Sequence, residues 1–240
     1  REKLIPHMAS TQGPEISAGD VNGDGLEDFF IGGAAGQSGK LFIQNDAGSF
    51  SPVRSPALLR DSLYEDAGSA LFDADGNGTL DLIVVSGGQE HGGDHSLLRP
   101  RLYLNDGSGK LRKSLKHLPD IFVNASCVRP ADIDGDHDID LFIGGRLVAQ
   151  QYGISPPSFL LLNDGGKRFV DVSERLTSVE DSKGMGMVTD GLWTDLDKNG
   201  KPDLILVGEW MPITVLIQDR SGNFVEKTED YGLSNTNGWW

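Results

Sequence analysis

A nine-residue acidic phrase occurs four times in this chain, and no other feature of the sequence restricts its folding so tightly. It reads Asp20-Val21-Asn22-Gly23-Asp24-Gly25-Leu26-Glu27-Asp28, then Asp73-Ala74-Asp75-Gly76-Asn77-Gly78-Thr79-Leu80-Asp81. It returns as Asp132-Ile133-Asp134-Gly135-Asp136-His137-Asp138-Ile139-Asp140 and Asp195-Leu196-Asp197-Lys198-Asn199-Gly200-Lys201-Pro202-Asp203, with starting points 53, 59 and 63 residues apart. Self-similarity at such a spacing marks a repeat architecture, in which each unit buries its apolar face against its neighbours.

Each phrase runs directly into a short apolar stretch: Phe29-Phe30-Ile31, Leu82-Ile83-Val84-Val85, Leu141-Phe142-Ile143 and Leu204-Ile205-Leu206-Val207. Too short for helices and apolar at consecutive positions, these predict strands buried on both faces. A second apolar segment follows and ends in a turn signal, as in Leu102-Tyr103-Leu104-Asn105-Asp106-Gly107 and Leu160-Leu161-Leu162-Asn163-Asp164-Gly165. Such ends supply the positive-φ positions of a hairpin. The unit is a strand, an acidic loop, a buried strand, a loop, a third strand, a turn and a fourth strand. Radial stacking covers both faces of such sheets and protects most edges. The expected fold is all-β: a β-propeller of four-stranded antiparallel blades, four of them present here as part of a larger propeller. Blades are expected at about 14–68, 69–127, 128–187 and 188–233 of a single repeat domain spanning 1–240, with 234–240 opening a further blade. Helix is expected only as a turn or two near 58–64 and 173–177.

Within each phrase, oxygen-bearing side chains fall at positions one, three, five and nine. These are Asp20, Asn22, Asp24 and Asp28; Asp73, Asp75, Asn77 and Asp81; Asp132, Asp134, Asp136 and Asp140; Asp195, Asp197, Asn199 and Asp203. A main-chain carbonyl at position seven, from Leu26, Thr79, Asp138 or Lys201, and water would complete six or seven oxygens around one hard cation. Carboxylates held about 4 Å apart repel by about 4 kcal/mol per pair at an effective dielectric near 20, so a cation is needed to keep such a loop closed. An all-oxygen set disfavours zinc and copper, and Ca²⁺ tolerates a crowded, irregular shell better than Mg²⁺. The expectation is about four Ca²⁺, one per loop, which brings the formal charge of −15 to about −7. Gly25, Gly78 and Gly200 at position six permit a tight turn, whereas His137 there predicts a different geometry for the third loop. An EF-hand needs a Glu at position twelve and a helix after it. Ile31, Val84, Ile143 and Leu206 occupy that position, so the EF-hand reading fails four times.

The net charge argues against nucleic acid as a partner, because phosphate binding needs basic patches and the 21 Lys and Arg form no cluster. No apolar run reaches the length of a membrane-spanning helix. The first residues, Arg1-Glu2-Lys3-Leu4-Ile5-Pro6, lack the apolar core of a secretory signal. The start without Met and the end at Trp239-Trp240 read as a piece of a longer protein, so further blades or domains of the same parent are expected. One cysteine, Cys127, excludes an internal disulfide framework and is expected as a small buried strand residue.

The acidic phrase and the later Leu-x-Asn-Asp-Gly resemble the FG-GAP or VCBS repeats of integrin α-subunit propellers, bacterial surface proteins and cartilage acidic protein-like proteins. The resemblance implies a propeller of about seven blades, with Ca²⁺ in the loops between the first two strands of each blade and the loop residues above as ligands. His137, Lys198 and Pro202 depart from the commonest pattern. In that family the loops are structural and binding takes place on the propeller faces. The first functional expectation is thus a non-catalytic binding scaffold for a protein or glycan, at an extracellular, cell-surface or periplasmic location. The alternative is the propeller domain of a carbohydrate-active enzyme, a polysaccharide lyase or glycosidase, with candidates in the glycine-rich insertion Gly87-Gly88-Gln89-Glu90-His91-Gly92-Gly93-Asp94-His95. Trp193 and Trp210 are expected in the core. An exposed Trp, or Tyr152, would mark a sugar site. Asn124-Ala125-Ser126 and Asn77-Gly78-Thr79 fit the N-glycosylation pattern.

Overall fold

The computed structural model describes residues 14–88, 90–176 and 184–239, with Trp239 as backbone alone. Four antiparallel four-stranded sheets follow one another along the chain. The first holds β1 (Ile16–Gly19), β2 (Asp28–Ile31), β3 (Lys40–Gln44) and β4 (Phe50–Val53). The second holds β5 (Asp66–Phe72), β6 (Asp81–Ser86), β7 (Arg101–Asn105) and β8 (Leu111–Lys113). The third is β9 (Ala125–Ala131), β10 (Asp140–Gly145), β11 (Phe159–Asn163) and β12 (Phe169–Asp171). The fourth is β13 (Met187–Thr194), β14 (Asp203–Met211), β15 (Thr214–Gln218) and β16 (Phe224–Glu226). In every sheet the strands pair in sequence order, and the acidic phrase joins the first strand to the second. A two-residue strand, β17 (Gly238–Trp239), where a further blade was expected to open, pairs with the far end of β14.

Among the described residues, helix is confined to α1 (Pro56–Arg60), capped by the Ser55 side chain, and to 3₁₀ turns at Ser96–Leu98 and Ser173–Leu176. Residue 177, the end of one expected turn, lies outside the described residues. Among the described residues no helix is long and apolar enough to cross a membrane.

Because side chains alternate along a strand, the second strand of each inner sheet serves two cores. Leu82 and Val84 of β6 pack with Phe30 and Leu41 of the first sheet. Ile83 and Val85, one residue out of phase, pack with Val128, Leu141 and Ile143 of the third. Phe142 then faces the fourth sheet with Leu204, Leu206 and Leu216. β6 and β10 are buried along their whole length, as continuous apolar runs predict. β2 and β14 are fully buried only on the side with a neighbour, while Phe29, Ile31, Ile205 and Val207 stay half-buried. An apolar run can be covered on both faces only when sheets flank it on both sides.

The innermost strands of adjacent sheets are joined by polar groups. The hydroxyls of Ser17 and Ser69 meet at 2.5 Å, and Ser126 Oγ donates to the Val188 carbonyl at 2.7 Å. Arg129 on β9 donates from Nε to Asp190 and from Nη1 to Glu15, each at 2.8 Å, and so ties the first, third and fourth sheets together.

A recurring amide side chain at the end of the third strand links the second, third and fourth sheets each to the one before it. Asn105 Nδ2 donates to the Val21 carbonyl at 2.6 Å, Asn163 Nδ2 to that of Ala74 at 3.0 Å, and Gln218 Nε2 to that of Ile133 at 3.0 Å. Each acceptor is the second residue of the preceding sheet's acidic phrase. Losing such a donor leaves buried carbonyls unsatisfied, so Asn163→Ala is expected to cost about 2 kcal/mol in urea unfolding. Gln44→Ala, at the equivalent position of the first sheet, where the side-chain amide bonds no carbonyl among the described residues, should cost this chain under about 0.5 kcal/mol.

Candidate functional site

All four acidic phrases fold into one hydrogen-bonded frame. Position six donates its N–H to Oδ2 of the position-one aspartate: Gly25 to Asp20 at 2.7 Å, Gly78 to Asp73 at 2.8 Å, His137 to Asp132 at 3.1 Å and Gly200 to Asp195 at 3.0 Å. Position seven donates to the side chain at position five, as Leu26 to Asp24 and Thr79 to Asn77, both at 2.8 Å. Asp138 does the same to Asp136 at 2.9 Å and Lys201 to Asn199 at 2.8 Å.

The position-nine aspartate begins the second strand and is fully buried in every loop. One of its oxygens accepts from the N–H at position two and the other from the last residue of the third strand. Asp28 takes Val21 (3.0 Å) and Gln44 (2.9 Å); Asp81 takes Ala74 (2.9 Å) and Asn105 (2.7 Å). Asp140 takes Ile133 (2.8 Å) and Asn163 (2.7 Å); Asp203 takes Leu196 and Gln218, both at 2.8 Å. This carboxylate therefore closes the loop against the hairpin beside it.

The expected change of geometry in the third loop does not occur. His137 adopts φ +76°, close to Gly25 (+83°), Gly78 (+82°) and Gly200 (+87°), and Lys198 at position four adopts φ +60° where Gly23 has +75°. The frame of amides around the position-one carboxylate overrides the local preference of an L-residue, which is strained instead. Lys201 is no intruder among the carboxylates, because its ammonium donates to the carbonyls of Asp219 (3.0 Å) and Arg220 (3.2 Å).

Three loops each bring together three carboxylates, with one oxygen apiece within 4.8 Å of the others: Asp73, Asp75 and Asp81; Asp132, Asp134 and Asp136; Asp195, Asp197 and Asp203. In the first loop Asn22 stands where the others have a carboxylate, and its Nδ2 donates to Asp24 at 2.9 Å. The donors are all oxygen, the set that hard divalent cations select. Burial, outweighing two backbone N–H bonds and reinforced by neighbouring aspartates, pushes Asp81 up to about 6 and Asp140 up to about 7. Burial and the adjacent Asp136 also raise Asp134. Asp20 is instead held below the ordinary range, chiefly by the Gly25 N–H.

Other expected residues are scattered. His91 and His95 stack at 3.9 Å between centroids, and His95 Nδ1 caps the Ser96–Leu98 turn by accepting from Leu97 N–H at 3.3 Å. Asp94 is exposed, and Gln89 lies outside the described residues. Asn124 is buried and donates to the Gly88 carbonyl, so its glycosylation pattern is not presented on the surface. Cys127 is buried, which pushes its thiol up to about 11. Trp193 packs edge-on to Phe142 and donates to the Arg129 carbonyl at 3.0 Å.

Trp210 does not join the core: it is 61% exposed. Its φ of +59° at a register shift between Glu209 and Met211 breaks the alternation of β14 and turns the indole outward. Its Nε1 donates to Tyr152 Oη at 3.2 Å, Tyr152 donates to Glu209, and Glu209 pairs with the buried guanidinium of Arg146. Nothing in the sequence marks this chain of contacts, because its members are spread over positions 146 to 210 and share no motif.

The model for the FG-GAP-like repeat matches residues 20–84 and 73–143, together just over half of the chain. The chain belongs to the FG-GAP-like repeat family. No curated protein sequence matches it significantly. Among solved structures, an Agrocybe aegerita lectin described as recognising non-reducing terminal N-acetylglucosamine superposes with a TM-score of 0.59 at 19% identity. The match covers 90% of this chain and 52% of the lectin chain, so this chain spans about half the lectin's length. At that identity the likeness speaks for the fold, a β-propeller.

Two outcomes follow from the loop geometry. Relieving the left-handed strain by His137→Gly or Lys198→Gly should raise stability by about 1 kcal/mol each, read from the urea midpoint. Asp81 and Asp140 bind protons more tightly when folded than the ordinary carboxylate at 3.8. Their contribution in metal-free protein is fully favourable below that value and is lost as pH rises through about 6 to 7. The urea midpoint in chelator should accordingly carry a downward component over this window, and Asp140→Asn should reduce it.

Proposed function

We propose that this chain is a calcium-stabilised, non-catalytic binding scaffold that works in an extracellular, cell-surface or periplasmic setting. The observation that carries the reading is the gathering of three carboxylates within 4.8 Å in three separate loops. Desolvation opposes ionisation of Asp81 and Asp140. Such groups are costly to bury unless a cation offsets them, and an irregular all-oxygen shell suits Ca²⁺. Asp20, Asn22, Asp24 and Asp28, with the Leu26 carbonyl, form the corresponding set in the first loop. About four ions are expected, with affinities of about 10⁻⁴ to 10⁻³ M, matching calcium levels outside cells rather than in the cytosol.

The half-buried Phe29 and Phe42 on one end sheet, and Ile205 and Val207 on the other, support further blades of the same parent protein on both sides. Equivalent positions between the sheets are sealed. A protein or glycan ligand is favoured over nucleic acid by the charge of −15. The fold likeness to a lectin adds weight to a glycan.

Melting with calcium and with EGTA tests the metal. With calcium tenfold above Kd, each occupied loop should add about 1.4 kcal/mol. Asp75→Asn should remove about one ion from the calorimetric stoichiometry. An identical melting temperature in both buffers would sink the proposal.

A further inference from the structure

At the end of the sheets away from the acidic loops, a cavity of about 580 Å³ is lined by Gly153, Ile154, Ser155, Gly186, Glu209 and Trp210, among others. This size falls in the range of small-ligand sites. One wall is the Trp210 indole, presented from a left-handed backbone position that a bulky L-residue adopts only under constraint. The constraint is visible. Trp210 Nε1 is anchored on Tyr152 Oη at 3.2 Å, Tyr152 on Glu209, and Glu209 on Arg146, which is itself buried. The indole is thus an exposed aromatic plate fixed in orientation, beside a carboxylate whose position is fixed as well.

The floor is equally set. Ser155 Oγ accepts from the Gly186 N–H at 2.8 Å and donates to the Gly186 carbonyl at 3.0 Å, holding the chain where a side chain would not fit. A Cβ at Gly186 would lie 2.6 Å from Met211 Sδ, so a larger residue there would have to displace Met211.

From these groups we infer that the Trp210 cleft binds a neutral saccharide ring. A pyranose has one C–H face that stacks on an aromatic plate and a rim of hydroxyls that bond carboxylate and backbone groups. An anionic sugar or phosphate is disfavoured, because among the described residues the lining carries the Glu209 carboxylate and no Lys or Arg. A wholly apolar ligand is disfavoured because Ser155 and Glu209 give the lining polar atoms that it could not bond. This inference deepens the scaffold reading and rests on it in taking the chain to bind rather than transform its ligand. It does not depend on the metal.

The test uses the whole chain in calcium buffer, titrated with glucose, galactose, mannose and N-acetylglucosamine, and with glucuronic acid as the charged comparison. Binding is read by tryptophan fluorescence and by saturation-transfer NMR. At least one neutral sugar should bind with a millimolar Kd and glucuronic acid at least about tenfold more weakly. Trp210→Gly removes the plate and relieves the positive φ, so it should melt at a higher temperature than the parent and lose the sugar signal. Trp210→Phe keeps an aromatic face and should retain binding within severalfold. The inference is overturned if no neutral sugar binds up to about 50 mM, if glucuronic acid binds best, or if Trp210→Gly binds as the parent does. A lower melting temperature for Trp210→Gly also overturns it, since the indole would then be a structural brace. Repeating the titration in EGTA separates the two proposals. Sugar binding without any calcium effect on melting sinks only the metal, and a calcium effect without sugar binding sinks only the cleft.

Discussion

The architecture turns on a buried carboxylate. At the ninth position of each acidic phrase an aspartate fully removed from solvent accepts one N–H from the start of its own loop and one from the end of the adjacent hairpin. With both oxygens engaged, this side chain fixes where the first strand stops, where the second begins and how the third lies beside it. The cost is a charge out of water. For Asp81 and Asp140 two amide bonds do not compensate that cost, and their acidity is weakened accordingly. The same residue that organises the blade thus carries the energetic cost of doing so, and its hydrogen bonds clasp the loop to the hairpin beside it.

The clasp extends from one sheet to the next. The second residue of each phrase gives its N–H to the buried aspartate and, in the first three loops, its carbonyl to the Asn or Gln that closes the third strand of the following sheet. Side chains of β6 and β10 alternate between two cores, so the apolar contacts and the amide bridges run along the same sequence of neighbours. The arrangement separates labour by end. Acidic loops gather where first strands turn into second strands. The long, varied connections that carry His91 and Tyr152, and the end of β14 that carries Trp210, lie at the opposite end, free to differ between repeats because the clasp does not constrain them.

Much of this was readable from residues. Four copies of one phrase, each followed by a buried-strand pattern, fixed the unit and its strand order, and the all-β fold followed because such sheets can be covered only by one another. The recurrence of oxygen-bearing residues at positions one, three, five and nine was equally plain, whereas which of them gather was not: Asp73, Asp75 and Asp81 meet in the second loop, but in the third Asp132, Asp134 and Asp136 do. The role of Asn105 and Asn163 was not. In sequence they look like hairpin-turn residues, and only the packed structure shows their amides crossing to the preceding sheet. His137 was misjudged for a related reason: a preference of about 1–2 kcal/mol per residue yields when several loop amides converge on one carboxylate.

What the sequence by itself determined is therefore everything that depends on local chemistry repeated in register: the repeat unit, its strands, the oxygen-rich loops and the absence of any disulfide framework. Tertiary structure alone decided which apolar faces are sealed and which are left half-open, that Trp210 stands outside the core, and that Arg146, Tyr152 and Glu209 converge to hold it. Those outcomes hinge on contacts between residues far apart in the chain and on a single reversed dihedral, and neither leaves a periodic trace in the order of the amino acids.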